Sequence, residues 1–405
     1  MLVVKNARVA TMTSAQALPG DGPLGFIEDG AVAMENERIV YVGPSSGAPA
    51  GETLDAGGRL VTPGLVDPHT HLVFAGDRAH EYAQRIAGAS YLEIARAGGG
   101  IRSTVRATRA ASDEELIECA TKRLRRMLAS GVTTVEVKTG YGLTVADELR
   151  MLRIAQQAGA AAGCEVVPTL LGLHALPEGL SREAWIRQVC EELLPAAAHA
   201  GARGCDAFCE EGAFTRDECS RALSAGQALG LAAHLHADQL SDSGGAALAA
   251  SLGCASADHL ERTSTAGIAA MASAGTAAVL LPLAAWFLRD TPAGAKPFLD
   301  AGVTVALGSN LNPGSQRMES VSLLLGAGCL FCGLTPAQSL WACTRGAARA
   351  LGLDDRGVLE PGRRADLVLW DCKDAAHLPY HAGVEHALTV IARGIVVANR
   401  ESACN

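Results

Sequence analysis

The feature that most restricts how this chain folds is a rhythm. Between residues 64 and 309, short apolar runs alternate with helical ones. The apolar runs are GLVDPHTH (64–71), VTTVEVK (132–138), EVVPTLLGLH (165–174), CDAFC (205–209), AAHLH (232–236), SADHL (256–260), AAVLLP (277–282) and VTVALGS (303–309). Intervening segments such as SDEELIECATKRLRRMLASG carry apolar residues at i, i+3 and i+4 and end on Gly. Strand–helix–strand units in series connect right-handedly and build a parallel sheet. Eight such strands within 405 residues predict an α/β fold, a closed (β/α)8 barrel of the TIM type.

The two ends read differently. LVVKNARVATM, GAVAMENERIVYVGP and RLVTPGLVDPHTH open the chain, and GRRADLVLWD and ALTVIARGIVVAN close it; all are β-like. Segments 1–60 and 356–405 are therefore expected to meet as one small β-sandwich domain beside a barrel of residues 61–355. A hydrophobic content of 49% against 19% charged residues supplies a large core, and aromatics at 4% with abundant Ala and Gly suit close helix–sheet packing.

Charge narrows the partners. The net charge is −9 and no Lys/Arg block stands out, which disfavours nucleic acid and anionic membrane. An anionic substrate would then need a local cation. The start MLVVKNARVATM lacks the pattern of a secretory signal, and no apolar run reaches membrane-spanning length, so a cytoplasmic protein is expected. Cys329 and Cys332 form a CxxC without the second pair a zinc ribbon needs, and with Cys205 and Cys209 they read as buried reduced thiols. Between the first strand and the next unit lies an insertion of about sixty residues, of the kind that covers a barrel's active face. Its Gly98–Gly100 run suits a hinge or a plain turn equally.

Pro68-His69-Thr70-His71 ends the first strand. Residues i and i+2 of a strand share a face, so both imidazoles point into the C-terminal mouth, where two neutral imidazoles form half of a zinc or iron site. His234-Leu235-His236 after the fifth strand offers a third imidazole. Spacing alone does not choose between its two histidines; His236, nearer the mouth, is the better candidate, with His234 one pleat deeper. His259 ends the sixth strand, placed to move a proton or hold a developing oxyanion, and His174 ends the third.

The segments PGLVDPHTHLVFAGDR, GASYLEIARAGGGI, GVTTVEVKTGYGLT, FCEEGAF, HLHADQLSDSGGA, SADHLE, NPGS and GRRADLVLWD resemble the imidazolonepropionase family of the amidohydrolase superfamily, over about residues 60 to 380. HxH belongs to the whole superfamily; the runs around Tyr141, FCEEGAF and LHADQ are far more specific. The resemblance implies a barrel with a small β-sandwich, one Zn or Fe ion, a homodimer, and hydrolysis of 4-imidazolone-5-propanoate to N-formimidoyl-L-glutamate. By position it implies metal ligands at His69, His71, His236 and residue 310, and a substrate shell of Arg78, Tyr91, Tyr141, His174, Gln239, His259, Asn312, Gly314 and Ser315. His259, Gln239 and His174 would carry the catalytic roles. Arg78 is the cation that a small anionic heterocycle requires, since a guanidinium grips a carboxylate bidentately.

The chain departs from the family at one corner. Where the family pattern has Asp, this sequence has Asn310. An amide oxygen still coordinates, more weakly, but is not a useful base near neutral pH. Three readings stay open. Another base, with His259 nearest, takes over; or a substitution, natural or introduced, disables turnover and leaves a ligand-binding protein; or the chain hydrolyses a related cyclic amide such as a hydantoin- or thiohydantoin-propanoate.

Overall fold

The computed structural model describes residues 1–13, 24–89, 93–94 and 98–400. All eight expected barrel strands form: Leu65–Asp67, Val132–Lys138, Glu165–Leu173, Gly204–Cys209, Ala232–Ala237, Ser256–His259, Ala277–Leu280 and Val305–Leu307. Each pairs in parallel with the next. The helices between them start where the side chains predict. Ser112 accepts the Glu115 N–H to cap Asp113–Ala129, and Thr144 accepts the Asp147 N–H to cap Val145–Ala162, which stops at left-handed Gly163. Thr215 and Glu218 form a reciprocal capping box on Arg216–Ala228.

The first strand is shorter than its apolar run suggests. It ends at Asp67, because Pro68 has no N–H to donate to a ladder. Residues 69–71 are instead stitched to the segment after the eighth strand. The Asn310 N–H donates to the His69 carbonyl and the His71 N–H to the Leu311 carbonyl, both at 2.9 Å. Thr70 and Leu311 form a parallel bridge. The Asp67 carboxylate accepts the N–H groups of Ser309 (3.0 Å) and His69 (3.3 Å), and burial pushes its pKa up to about 6. The contacts that close the barrel thus run through the very residues expected at the metal.

The two chain ends form one continuous eight-stranded sheet. Leu60–Pro63 belongs to it, pairing with Arg8–Val9 on one side and with Leu367–Leu369 on the other. Gly64 is the crossing point: its N–H bonds Asp366 of the sheet, and the next N–H, of Leu65, bonds Gly131 at the foot of the barrel.

The insertion after the first strand contains helices Ala79–Ile86 and Ile101–Ala110. Its glycine run is a turn, with Gly98 and Gly100 at positive φ. The Gly100 N–H donates to the Glu81 carboxylate at 3.1 Å, and a Cβ on Gly99 would stand 2.9 Å from the same group. The eleven cysteines among the described residues are free thiols, Cys329 and Cys332 included. No helix among the described residues is long and apolar enough to cross a membrane.

Candidate metal centre

Five imidazoles converge at the C-terminal mouth of the barrel. Ring centroids of His69 and His236 are 4.5 Å apart, His71 and His236 5.3 Å, His71 and His174 5.1 Å, and His236 and His259 5.4 Å. Nitrogens of His69, His236 and His259 lie within 4.8 Å of one another. His71 joins the same cluster from the side, its Nε2 only 3.3 Å from Nε2 of His236.

The tautomers follow from the partners. His69 Nδ1 is 2.6 Å from Asp258 Oδ2, and His236 Nδ1 is 3.0 Å from Asp206 Oδ2. An ionised carboxylate only accepts, so Nδ1 of His69 carries the proton and its Nε2 presents a lone pair, and the approach of Asp206 to Nδ1 of His236 favours the same arrangement there. His69 Nε2 is buried with no hydrogen-bond partner among the described residues. Burial first, and then Lys138 and the neighbouring imidazoles, hold the His69 pKa well below its ordinary value; burial, His174 and His236 do the same to His71. Unprotonated, inward-facing imidazole nitrogens make up the donor set a zinc or iron ion requires. The spacing fits as well: two nitrogens on a tetrahedral ion at 2.0–2.1 Å stand about 3.3 Å apart.

Asn310 sits at the closure, buried, with φ 54°. This left-handed conformation is one that Asn and Asp tolerate better than other non-glycine residues. Its Oδ1 accepts from Asn312 Nδ2 at 3.1 Å. Asn312 also bonds the Asn310 carbonyl and Ser315 Oγ through Nδ2, while its Oδ1 accepts the N–H groups of Gly314 and Ser315 at 2.8 Å. The Asn312 side chain is thus engaged in shaping the 310–315 loop.

Arg78 reaches this loop from the insertion. Its guanidinium is held by Glu81 at 2.7 Å, and a Cβ on Gly314 would stand 2.2 Å from its Nη1. Only glycine at 314 leaves room for that close approach. Arg85 adds a second guanidinium, its Nη2 donating to the Gly314 carbonyl at 3.2 Å. Tyr141 is buried, with its ring 6.0 Å from His71 and 5.4 Å from His174. Its loop is pinned by Glu148, whose carboxylate accepts the N–H groups of Gly140, Gly142 and Leu143. His174 Nδ1 lies 3.0 Å from the Gly140 carbonyl, which can only accept; the proton is on Nδ1 and Nε2 carries the lone pair. Burial lowers the His174 pKa to about 4.

Gln239 is partly buried on the loop after the fifth strand. That loop is tied to Glu210, which accepts from the Leu240 N–H and from Ser241. His234 lies one pleat deeper, bonded to Ser256 Oγ at 2.9 Å. Tyr91 lies outside the described residues.

Sequence reasoning missed the layer beneath the histidines. Lys138 Nζ is bonded to Glu136 (2.9 Å) and Asp206 (2.7 Å) and stands 3.5 Å from Asp258, and all four side chains are fully buried. The available signal was charge inside barrel strands that are otherwise apolar, because a buried charge must find a partner.

Residues 60–397 match the model of the amidohydrolase family. An imidazolonepropionase of Myxococcus xanthus is 49% identical over 99% of this chain and 98% of its own length. One from Methylobacterium nodulans is 51% identical over 96% and 98% respectively. The chain belongs to the imidazolonepropionase family of amidohydrolases. As a member of that family it is a metal-dependent cyclic amidohydrolase acting on a small substrate. The fold has wider company among solved structures. An atrazine chlorohydrolase from Arthrobacter aurescens TC1, complexed with zinc, superposes with a TM-score of 0.76 at 20% identity, over 98% of this chain and 95% of that one. A 5-methylcytosine deaminase from Klebsiella pneumoniae gives 0.72, also at 20% identity, over 98% of both chains.

Proposed function

We propose that the chain opens the ring of 4-imidazolone-5-propanoate to give N-formimidoyl-L-glutamate, a step of histidine degradation, with one Zn or Fe ion held by His69, His71, His236 and the amide oxygen of Asn310. The observation that carries the reading is the juxtaposition of unprotonated inward-facing imidazoles with the Arg78 guanidinium against Gly314, in a chain about half identical to imidazolonepropionases. A metal bound there supplies Lewis-acid polarisation and brings the pKa of a water toward neutrality.

The protein's own groups do the rest. Arg78 grips the propanoate, with Tyr141 and the loop of Asn312, Gly314 and Ser315 closing the pocket; Tyr91 and Gln239 complete the set. Holding the tail in one pose converts attack on the ring into an intramolecular-like event. Water adds to the ring carbonyl carbon, the carbon–nitrogen bond breaks, and the nitrogen leaves with a proton. His174, with its lone pair on Nε2, accepts from a ring N–H and is poorly suited to donate to an oxyanion. His259, whose ring stands beside His69 and His236 at the mouth, is the imidazole placed to take the water's proton in place of Asn310. A cytoplasmic homodimer completes the proposal, on the family's pattern.

The test is ring opening followed spectroscopically, imidazolone-propanoate against hydantoin- and thiohydantoin-propanoate. Preference for the imidazolone supports the reading. Faster turnover of a hydantoin ring, or none on any ring even with Asp restored at 310, contradicts it.

Arg78→Met is expected to raise KM for the propanoate substrate by about 10²–10³-fold, the cost of removing one partner of a buried charge pair. A ring lacking the carboxylate should be turned over equally by both proteins. Equal loss on both substrates would remove Arg78 from carboxylate binding.

A further inference from the structure

Lys138 is buried with 0% side-chain exposure at the end of the second barrel strand, beneath the histidines. An ammonium has three hydrogens to donate. Three carboxylates surround this one, and each supports a different part of the metal centre. Asp206 Oδ2 stands 3.0 Å from Nδ1 of His236, and its Oδ1 accepts that residue's backbone N–H at 3.2 Å. Asp258 takes Nδ1 of His69 at 2.6 Å. Glu136 accepts the N–H of Thr70 at 3.3 Å, between His69 and His71, while the Thr70 hydroxyl donates to the Glu136 carbonyl at 2.6 Å. The Lys138 N–H itself donates to the Thr70 carbonyl at 2.9 Å.

We propose that Lys138 is a positioning residue for the metal centre: one ammonium that holds Asp206, Asp258 and Glu136 at their posts and so aims His69, His71 and His236 at a single point. The proposal rests on the reading of those histidines as metal ligands. Without the cation, Asp206 and Asp258 are two like charges in a water-excluded space. Such a pair relieves itself by rotating apart, and an imidazole that loses its carboxylate is free to turn and is a poorer ligand. Outer partners of ligating histidines govern metal affinity in this way, typically by 10- to 100-fold.

The probe is Zn²⁺ alone, its affinity measured by chelator competition on the full-length chain after removal of bound metal. Lys138→Met is expected to bind Zn²⁺ at least tenfold more weakly while its far-ultraviolet circular dichroism stays that of wild type. A purely structural role would lower thermal stability and leave the affinity of the folded protein unchanged, which overturns the proposal. Should Lys138→Met fail to fold, the pair Asp206→Asn and Asp258→Asn carries the test. With Lys138 linking them, the double variant is expected to lose clearly less affinity than the product of the two single losses. Strictly multiplicative losses would show two independent supports and overturn the link. Wild type that takes up no Zn²⁺ overturns the metal-site reading and this proposal together; wild-type binding retained by Lys138→Met overturns this proposal alone.

Discussion

Asn310→Asp is expected to raise the turnover number for imidazolone-propanoate by about 10²–10⁴-fold, the usual contribution of a positioned acid–base group. The backbone tolerates the change. Residue 310 sits at φ 54°, where Asp and Asn are both at home, and its N–H bond to the His69 carbonyl does not involve the side chain. Oδ1 keeps its bond from Asn312, and the amide nitrogen becomes a second carboxylate oxygen. That oxygen supplies what the native amide lacks: a negative charge toward the cluster and a site that can take a proton from water and return it to the leaving nitrogen. Steady-state kinetics on both proteins, with metal content equalised, checks it. Equal activity of the two would show that Asp at 310 is dispensable and that His259 is sufficient.

His69→Ala is expected to abolish metal retention and lower turnover by at least about 10⁴-fold, while leaving the metal-free fold close to its original stability. The side chain is fully buried, and its Nε2 has no hydrogen-bond partner among the described residues. Deleting it removes an unsatisfied polar atom, a gain of about 1–3 kcal/mol, and leaves a cavity and an Asp258 that loses one donor, which act the other way. Lys138 remains near Asp258. Opposing terms of similar size predict a small shift for the metal-free protein. The difference emerges on adding metal. A ligand at a thousand times its Kd stabilises the native state by about 4 kcal/mol, and this gain should appear in wild type and vanish in the variant. Thermal unfolding with and without Zn²⁺ reads it directly. An unchanged zinc response in His69→Ala would remove His69 from the site.

The barrel was legible because strand and helix periodicities differ and alternate eight times; each of the eight apolar runs overlaps an observed strand. Boundaries were less so. GLVDPHTH reads as one strand, yet Pro68 ends the ladder and the histidines ride on a segment that bonds across to Asn310 and Leu311. Sequence spacing cannot see a partner more than two hundred residues away. The preference for His236 over His234 came from depth along a strand; in the structure His234 meets Ser256 and His236 meets His71. Asp206 and Asp258 escaped notice because each is the one carboxylate of its strand, and Lys138 because its strand offers only Glu136 as a partner; closure of the barrel places the four together. The engagement of Asn312 within its loop is a matter of hydrogen-bond geometry that residue type does not announce.

The central claim is that His69, His71 and His236 hold one metal ion. Elemental analysis of the purified full-length chain, joined to X-ray absorption at the metal edge, tests it most directly. The account predicts about one equivalent of Zn or Fe per chain with three imidazole nitrogens at about 2.0–2.1 Å. Less than about half an equivalent after careful purification, or a metal shell dominated by sulfur, would contradict it.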